Sequence, residues 1–329
     1  MTEYRAAMIG CGKIGSEFAS DPLVKGTYTH AGAYAASSRV QLVAVCDANP
    51  VRLAACGDLW HVAARFTDAR EMLQAVRPDI LSVCSPDETH AAMIALALEH
   101  GVRAIVAEKP VAVDVNDARR IIGRASALGV PIVVNYTRRF ADGHVRVSEM
   151  IKQDMLGDIQ SVAGYYTKGV RHNGTHWFDL ARFFFGEVAD VLASASVAGD
   201  ASNDPTLSVE LRFDGGLRAS LVGCNSAFSI FEMDIVGTRG RIRLIDSGHS
   251  IELYNVADSP HYSGYRSLSA AETWPGGMGE AMPKVIANCV ACLDGTGVPV
   301  CSGQDGLAAL EVAVASQLSS ERRQRVAIK

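Results

Sequence analysis

Over the first 135 residues, short apolar runs alternate with segments whose apolar residues recur at helical spacing. The runs at 6–9, 42–46, 80–84, 104–107 and 132–134 are long enough for strands buried on both faces. Helical patterns at 89–100 and 115–128 each end at a glycine, Gly101 and Gly129, where a left-handed cap would close them. Strands alternating with helices predict a doubly wound parallel sheet covered on both faces.

After Asn135 the rhythm changes. A helix is predicted over 142–155, and then Leu207, Val209, Leu211 and Phe213 alternate with Ser208, Glu210 and Arg212, the period of a strand with one wet face. Asp214-Gly215-Gly216 supplies a turn. Met233 and Ile235, then Gly237-Thr238-Arg239-Gly240, then Ile242 and Leu244 read as a hairpin that Ile251 and Leu253 continue. With helices expected at 280–293 and 304–319, the second half is an α+β unit built on an open, mainly antiparallel sheet. The expected domains are 1–135 and 136–329.

A chain of 329 residues that is 48% apolar can bury two cores, which sets disorder aside. Its net charge of -5 disfavours nucleic acid and membrane surfaces as partners and favours a small molecule. Residues 4–9 run directly into a glycine turn, so no signal sequence is expected and the protein is placed in the cytoplasm. The eight cysteines are scattered as small hydrophobes would be in a reducing compartment. Cys289 and Cys292 form a CxxC inside a helical pattern without a second close pair, so core packing is preferred to zinc and no metal is expected.

Gly10-Cys11-Gly12-Lys13-Ile14-Gly15 follows a predicted strand and is expected to open a helix. In that context the first glycine allows a tight turn, the second lets the backbone approach a pyrophosphate, and the third lets helix pack on strand. The helix amides then hold the phosphate charge. The first half is thus expected to be a Rossmann unit, although a plain strand-helix turn would use the same glycines. Asp47 ends the next strand, where its carboxylate could accept both ribose hydroxyls and repel a 2′-phosphate, favouring NAD over NADP. It lies 35 residues after Gly12, against about 20 in the usual fingerprint, and the excess is assigned to an inserted loop over 20–29. A solvated strand-end aspartate is the competing account. Ser85-Pro86 and His90 leave another strand at the carboxyl edge and are expected to border the nicotinamide, with a packing role for His90 the alternative.

Glu108-Lys109-Pro110 occupies the same edge. A part-buried lysine there could polarise a carbonyl or relay a proton. In 171–182, helical geometry would put His172, His176 and Asp179 in one stripe, with Trp177, Phe178, Leu180, Phe184 and Phe185 packing behind. A histidine titrating near neutrality can take a hydroxyl proton, so His176 is the expected general base, with Asp179 orienting it or binding substrate. A surface His/Asp patch is the alternative. Trp274-Pro275-Gly276-Gly277 reads as a surface turn.

Together these segments resemble the glucose-fructose oxidoreductase / inositol dehydrogenase / rhizopine catabolism (Gfo/Idh/MocA) family over nearly the whole chain. The resemblance rests on Gly10-x-Gly12-x-Ile14-Gly15, Ser85-Pro86 with His90, Glu108-Lys109-Pro110, Asn135-Tyr136-x-Arg138-Arg139-Phe140, His176-x-x-Asp179 and Gly237-Thr238-Arg239-Gly240. It implies an NAD-dependent dehydrogenase acting on a hydroxyl of a sugar, cyclitol or sugar derivative. Lys109 and His176 act on that hydroxyl, Asn135, Arg138, Lys168 and Asp179 approach substrate, and dimers or tetramers form through the sheet. Inositol-dehydrogenase-like members carry an aspartate four residues before the catalytic histidine. Here that position is His172, which is expected to contact a different, anionic substrate group. Two other readings stay open: a non-catalytic NAD-binding sensor or co-regulator, and a family enzyme that reduces or cleaves a different bond.

Overall fold

The computed structural model describes residues 3–196 and 203–328. The chain divides into two compact units, one of Met1–Phe140 with Met278–Leu307 and one of Ala141–Gly277 with Ala308–Lys329.

In the first unit six strands form a parallel sheet: β1 (Tyr4–Ile9), β2 (Val40–Cys46), β3 (Ala64–Phe66), β4 (Ile80–Val83), β5 (Ala104–Ala107) and β6 (Ile132–Val134). Their order is 3-2-1-4-5-6, so the winding reverses between β1 and β4. Ala6, Ala7 and Met8 of β1 and Ile80, Leu81 and Val83 of β4 are fully enclosed, as strands covered on both faces must be. The covering helices include α1 (His30–Ala35), α2 (Pro50–Leu59), α3 (Ala69–Val76), α4 (His90–Glu99) and α5 (Val115–Ala127). Asn49 caps α2, Asp68 caps α3 and Asp114 caps α5, each side chain accepting first-turn amides. Gly101 and Gly129 take positive φ, the left-handed stops expected after α4 and α5. The apolar periodicity did not reveal β3, three residues with an exposed arginine at the centre.

The second unit holds a nine-stranded sheet among the described residues. Its strands are β7 (Ile159–Tyr166), β8 (Val188–Ala195), β9 (Leu207–Phe213), β10 (Arg218–Gly223), β11 (Phe231–Gly237), β12 (Gly240–Ile245), β13 (Ser250–Asp258), β14 (Arg266–Pro275) and β15 (Val326–Ala327). They are ordered 14-13-12-11-7-10-9-8-15, and every neighbouring pair is antiparallel except β7 with β10. The inward residues of β9, Leu207, Val209, Leu211 and Phe213, pack with Val147 and Met150 of α6 (Asp142–Lys152) and Trp177, Phe178, Leu180 and Phe184 of α7 (Thr175–Phe185). Helix α8 (Ala281–Leu293) belongs to the first unit, and α9 (Gly303–Arg322) begins in the first and continues into the second. Residues 274–277 are not the surface turn expected: Trp274 is buried in β14, its ring under the Arg146 guanidinium at 4.2 Å. Cys289 is enclosed in α8, its thiol pushed up by burial.

Candidate functional site

The glycine turn leaves β1 at the switch point of the first sheet. Gly10 takes φ +97°, and a Cβ there would stand 2.3 Å from the Cys84 carbonyl oxygen. Gly12 differs: a Cβ on it would meet nothing within 4 Å. The constraint on Gly12 is therefore not internal packing, which fits a backbone kept bare for an approaching ligand.

The helix expected to run on from Gly15 does not do so. The Ile14 carbonyl accepts from His30 N–H and the Gly15 carbonyl from Ala31 N–H, both at 3.0 Å. In a continuous helix residues 18 and 19 would make those bonds. Twelve residues, 18–29, are thus spliced into the helix after its first turn, and α1 is its continuation. Without those 12 residues, 23 of the 35 between Gly12 and Asp47 remain, near the usual ~20. The loop expected over 20–29 lies within this excursion. Its ends are tied by the Trp60 indole N–H to Ser16 Oγ at 2.9 Å and Thr27 N–H to the Gly279 carbonyl at 2.7 Å.

Asp47 is not a freely solvated strand end. Its Oδ2 accepts from Cys11 N–H at 2.7 Å and its Oδ1 from Asn49 N–H at 2.8 Å. Each oxygen keeps further lone-pair capacity for a ribose hydroxyl. Asp47, Gly10, Gly12, Ser85 and Pro86 line a cleft of about 870 Å³ together with Ala69, Met93 and Leu96. A bare glycine backbone, a strand-end carboxylate and apolar walls suit pyrophosphate, ribose and adenine in turn, so these residues fit a dinucleotide. Lys13 and Ile14 lie in the glycine turn, Lys13 O accepting from Phe18 N–H at 3.0 Å.

Buried histidines brace the carboxyl edge. His90 is fully enclosed, with Nδ1 at 2.6 Å from the Pro110 carbonyl and Nε2 at 2.7 Å from the Ser85 carbonyl, so one ring bridges the loops after β4 and β5. The Glu108 carboxylate points inward: Oε1 lies 3.0 Å from His30 Nε2 and accepts from Asn135 Nδ2 at 2.6 Å. Burial pushes this carboxyl up, but the hydrogen bonds from His30 and Asn135 and the Lys109 ammonium outweigh it and leave it below the usual range. Lys109 itself is half-buried. Asn135 is enclosed and also accepts from Thr137 Oγ1 at 3.2 Å. Arg138 is partly enclosed, and burial pushes its guanidinium down to about 10.

In the second unit Lys168 is exposed in a left-handed conformation, and a π-helical turn over Gly169–Gly174 leads into α7. His172 therefore sits exposed on the π turn, off the regular α-helical stripe drawn for it, whereas His176 and Asp179 lie one turn apart on α7. Asp179 is 1% exposed, which rules out a solvated patch for that residue. A strap that sequence reasoning missed satisfies the turn's four amides. Gly169 N–H donates to Thr206 Oγ1 at 3.1 Å, Val170 N–H to the Pro205 carbonyl at 3.0 Å, and the Arg171 and His172 amides to the Asp204 carboxylate at 2.7 and 2.9 Å. The hint in the sequence was Asp204-Pro205, a turn pair in an unassigned stretch.

A parallel 3-2-1-4-5-6 sheet with its glycine turn tied to a strand-end carboxylate defines the first unit as a dinucleotide-binding Rossmann domain. Residues 4–136 match the oxidoreductase family with NAD-binding Rossmann fold and residues 148–328 its C-terminal alpha/beta domain. The chain belongs to that family, Gfo/Idh/MocA. It is 26% identical to a D-apiose dehydrogenase of Paraburkholderia graminis over 99% of this chain and 90% of that protein. It is also 26% identical to an inositol 2-dehydrogenase of Rhizobium meliloti, over 98% and 99%. The fold superposes on a levoglucosan dehydrogenase in complex with NADH and levoglucosan with a TM-score of 0.84, at 18% identity over 99% of this chain and 100% of that one.

Proposed function

We propose that this protein is an NAD-dependent dehydrogenase that interconverts a secondary alcohol and a ketone on a sugar, cyclitol or sugar derivative. The observation that carries the reading is Lys109, half-buried at the carboxyl edge of β5 beside an inward-held Glu108 and following a sheet built for a dinucleotide. The full-length likeness to two dehydrogenases named for a sugar and a cyclitol supports the substrate class.

Bound NAD supplies the hydride acceptor for the substrate carbon. Gly10, Gly12, Lys13, Ile14 and Gly15 hold its pyrophosphate, Asp47 its adenosine ribose, and Ser85, Pro86, His90, Glu108 and Lys109 border its other end. Asp47 makes NAD rather than NADP the partner. Lys109 positions and polarises the substrate oxygen, His176 takes the hydroxyl proton in oxidation and returns it in reduction, and Asp179 orients the imidazole. Asn135, Arg138, Lys168 and His172 contact the remaining substrate groups. With His172 in place of the aspartate of inositol-dehydrogenase-like members, the substrate carries an anionic group at that position. The protein works in the cytoplasm as a homodimer or homotetramer joined through the nine-stranded sheet. No helix among the described residues is long and apolar enough to cross a membrane.

The test is absorbance of NADH on mixing the protein and NAD with a panel of sugars, cyclitols, aldonates, uronates and nucleotide sugars, with product analysis of every hit. Turnover should appear with an acidic sugar derivative and vanish in Lys109→Met, which should still bind NADH. A fully active Lys109→Met, or silence across the panel, would overturn the reading.

A further inference from the structure

We propose that His30 is a positioning residue for Lys109, acting through Glu108 from the helix that the excursion interrupts. The proposal rests on the reading that Lys109 acts on the substrate.

A chain of enclosed polar groups crosses the first unit. Tyr34 Oη lies 2.7 Å from Ser82 Oγ, Ser82 Oγ 2.9 Å from His30 Nδ1, and His30 Nε2 3.0 Å from Glu108 Oε1. One direction satisfies every atom: tyrosine O–H to serine oxygen, serine O–H to Nδ1, and Nε2–H to the carboxylate. All the residues of this chain are buried, so the carboxylate at its end is held without water. A chain of this kind has no purpose in packing that Leu or Met could not serve, and its polar atoms cost desolvation.

What the chain delivers is a fixed negative charge beside a lysine. Glu108 Oε2 accepts the Lys109 backbone N–H at 3.3 Å, tying the carboxylate to the lysine's own peptide. The Lys109 ammonium in turn favours the charged form of the carboxylate. The groups facing the carboxylate are His30 from α1, Cys84 after β4, Asn135 after β6 and Lys109 after β5. The Cys84 thiol is already pushed up, by burial first and by the charge of Glu108 second. Without the donor at His30, Oε1 keeps only the Asn135 amide of its two partners, and the carboxylate is no longer held in place beside Lys109.

The experiment is trace acetylation of the full-length protein with acetic anhydride from pH 6 to 11, with Lys109 labelling quantified by mass spectrometry and NADH affinity by fluorescence titration. In His30→Ala and in the isosteric Glu108→Gln, the pH of half-maximal Lys109 labelling should fall by about one unit. His30→Gln, whose amide can donate to the same oxygen, should return most of that shift. NADH affinity should stay within about twofold of wild type in both His30 variants. Unchanged labelling of Lys109 in folded His30→Ala overturns the proposal, and if His30→Ala does not fold, His30→Phe, which keeps a ring of similar bulk without the donor, decides by the same readout. Labelling does not depend on turnover, so an active Lys109→Met would sink the catalytic reading and leave this result standing.

Discussion

The carboxylate of Asp47 accepts the Cys11 amide proton at 2.7 Å, joining the end of β2 to the glycine turn that follows β1. One side chain thereby shapes the glycine turn and keeps lone pairs for the ribose hydroxyl proposed for it. Charge-assisted hydrogen bonds of this kind contribute about 1.5–3 kcal/mol each. Asp47→Ala should weaken NADH binding by about 10- to 100-fold and narrow the preference over NADPH. Paired fluorescence titrations with the two cofactors measure both, and an unaltered preference would remove Asp47 from cofactor selection.

Gly10 and Gly12 should separate folding from binding. Gly10→Ala forces a Cβ against the Cys84 carbonyl at positive φ, so it should lower Tm by several degrees, equivalent to about 1–3 kcal/mol. Gly12→Ala adds a Cβ that meets nothing within 4 Å, so it should leave Tm nearly unchanged while weakening NADH binding by about tenfold or more. Calorimetry and titration on the two variants check the pair. Equal loss of stability in both would show that Gly12 serves packing.

Deleting residues 18–29 should restore a continuous helix, because His30 and Ala31 already bond to the carbonyls that residues 18 and 19 would use. The shortened chain should fold and bind NADH within about fivefold of the parent, since long insertions cost little beyond loop closure. Circular dichroism and titration read the outcome. Failure to fold would mean that the excursion carries part of the core.

Asp204→Ala should act on substrate alone. It strips the acceptor from two amides of the π turn before α7, costing about 1–3 kcal/mol locally. KM for the substrate should rise about tenfold or more, while NADH affinity should stay put because the cleft proposed to take NAD is lined wholly by the first unit. Steady-state kinetics beside NADH titration would show it, and an unchanged KM would take the strap out of substrate binding.

The folded state holds the Glu108 carboxyl below its usual value, so its contribution to stability is fully present above that value and is lost as pH falls through the lower folded one. Urea unfolding at pH 7 and near pH 4 should show wild type losing more stability on acidification than Glu108→Gln, which has no proton to bind there. A difference of the opposite sign would mean the carboxyl is raised on folding.

The parallel sheet, its glycine turn and the alternating strands of the second half were legible because each is a local rule: period, turn chemistry and the bare backbone of glycine show in consecutive residues. Lys109 and the His176-x-x-Asp179 pair were legible as short patterns with a known chemistry. His30 was not. It became part of the candidate site only when twelve spliced residues were seen to leave a helix and return it to the same carbonyls.

What the sequence alone determined is the class of each half, the dinucleotide fingerprint and the residue types available for acid-base work, since those follow from neighbours along the chain. What only the tertiary structure decided is where the side chains point: Glu108 inward to His30 and Asn135, His90 across two loops, Asp179 into the core, Asp204 onto the π turn. A buried polar group must find its partner wherever the fold brings one. All but the Ser85 partner of His90 lie 20 to 78 residues away, beyond the reach of any local period.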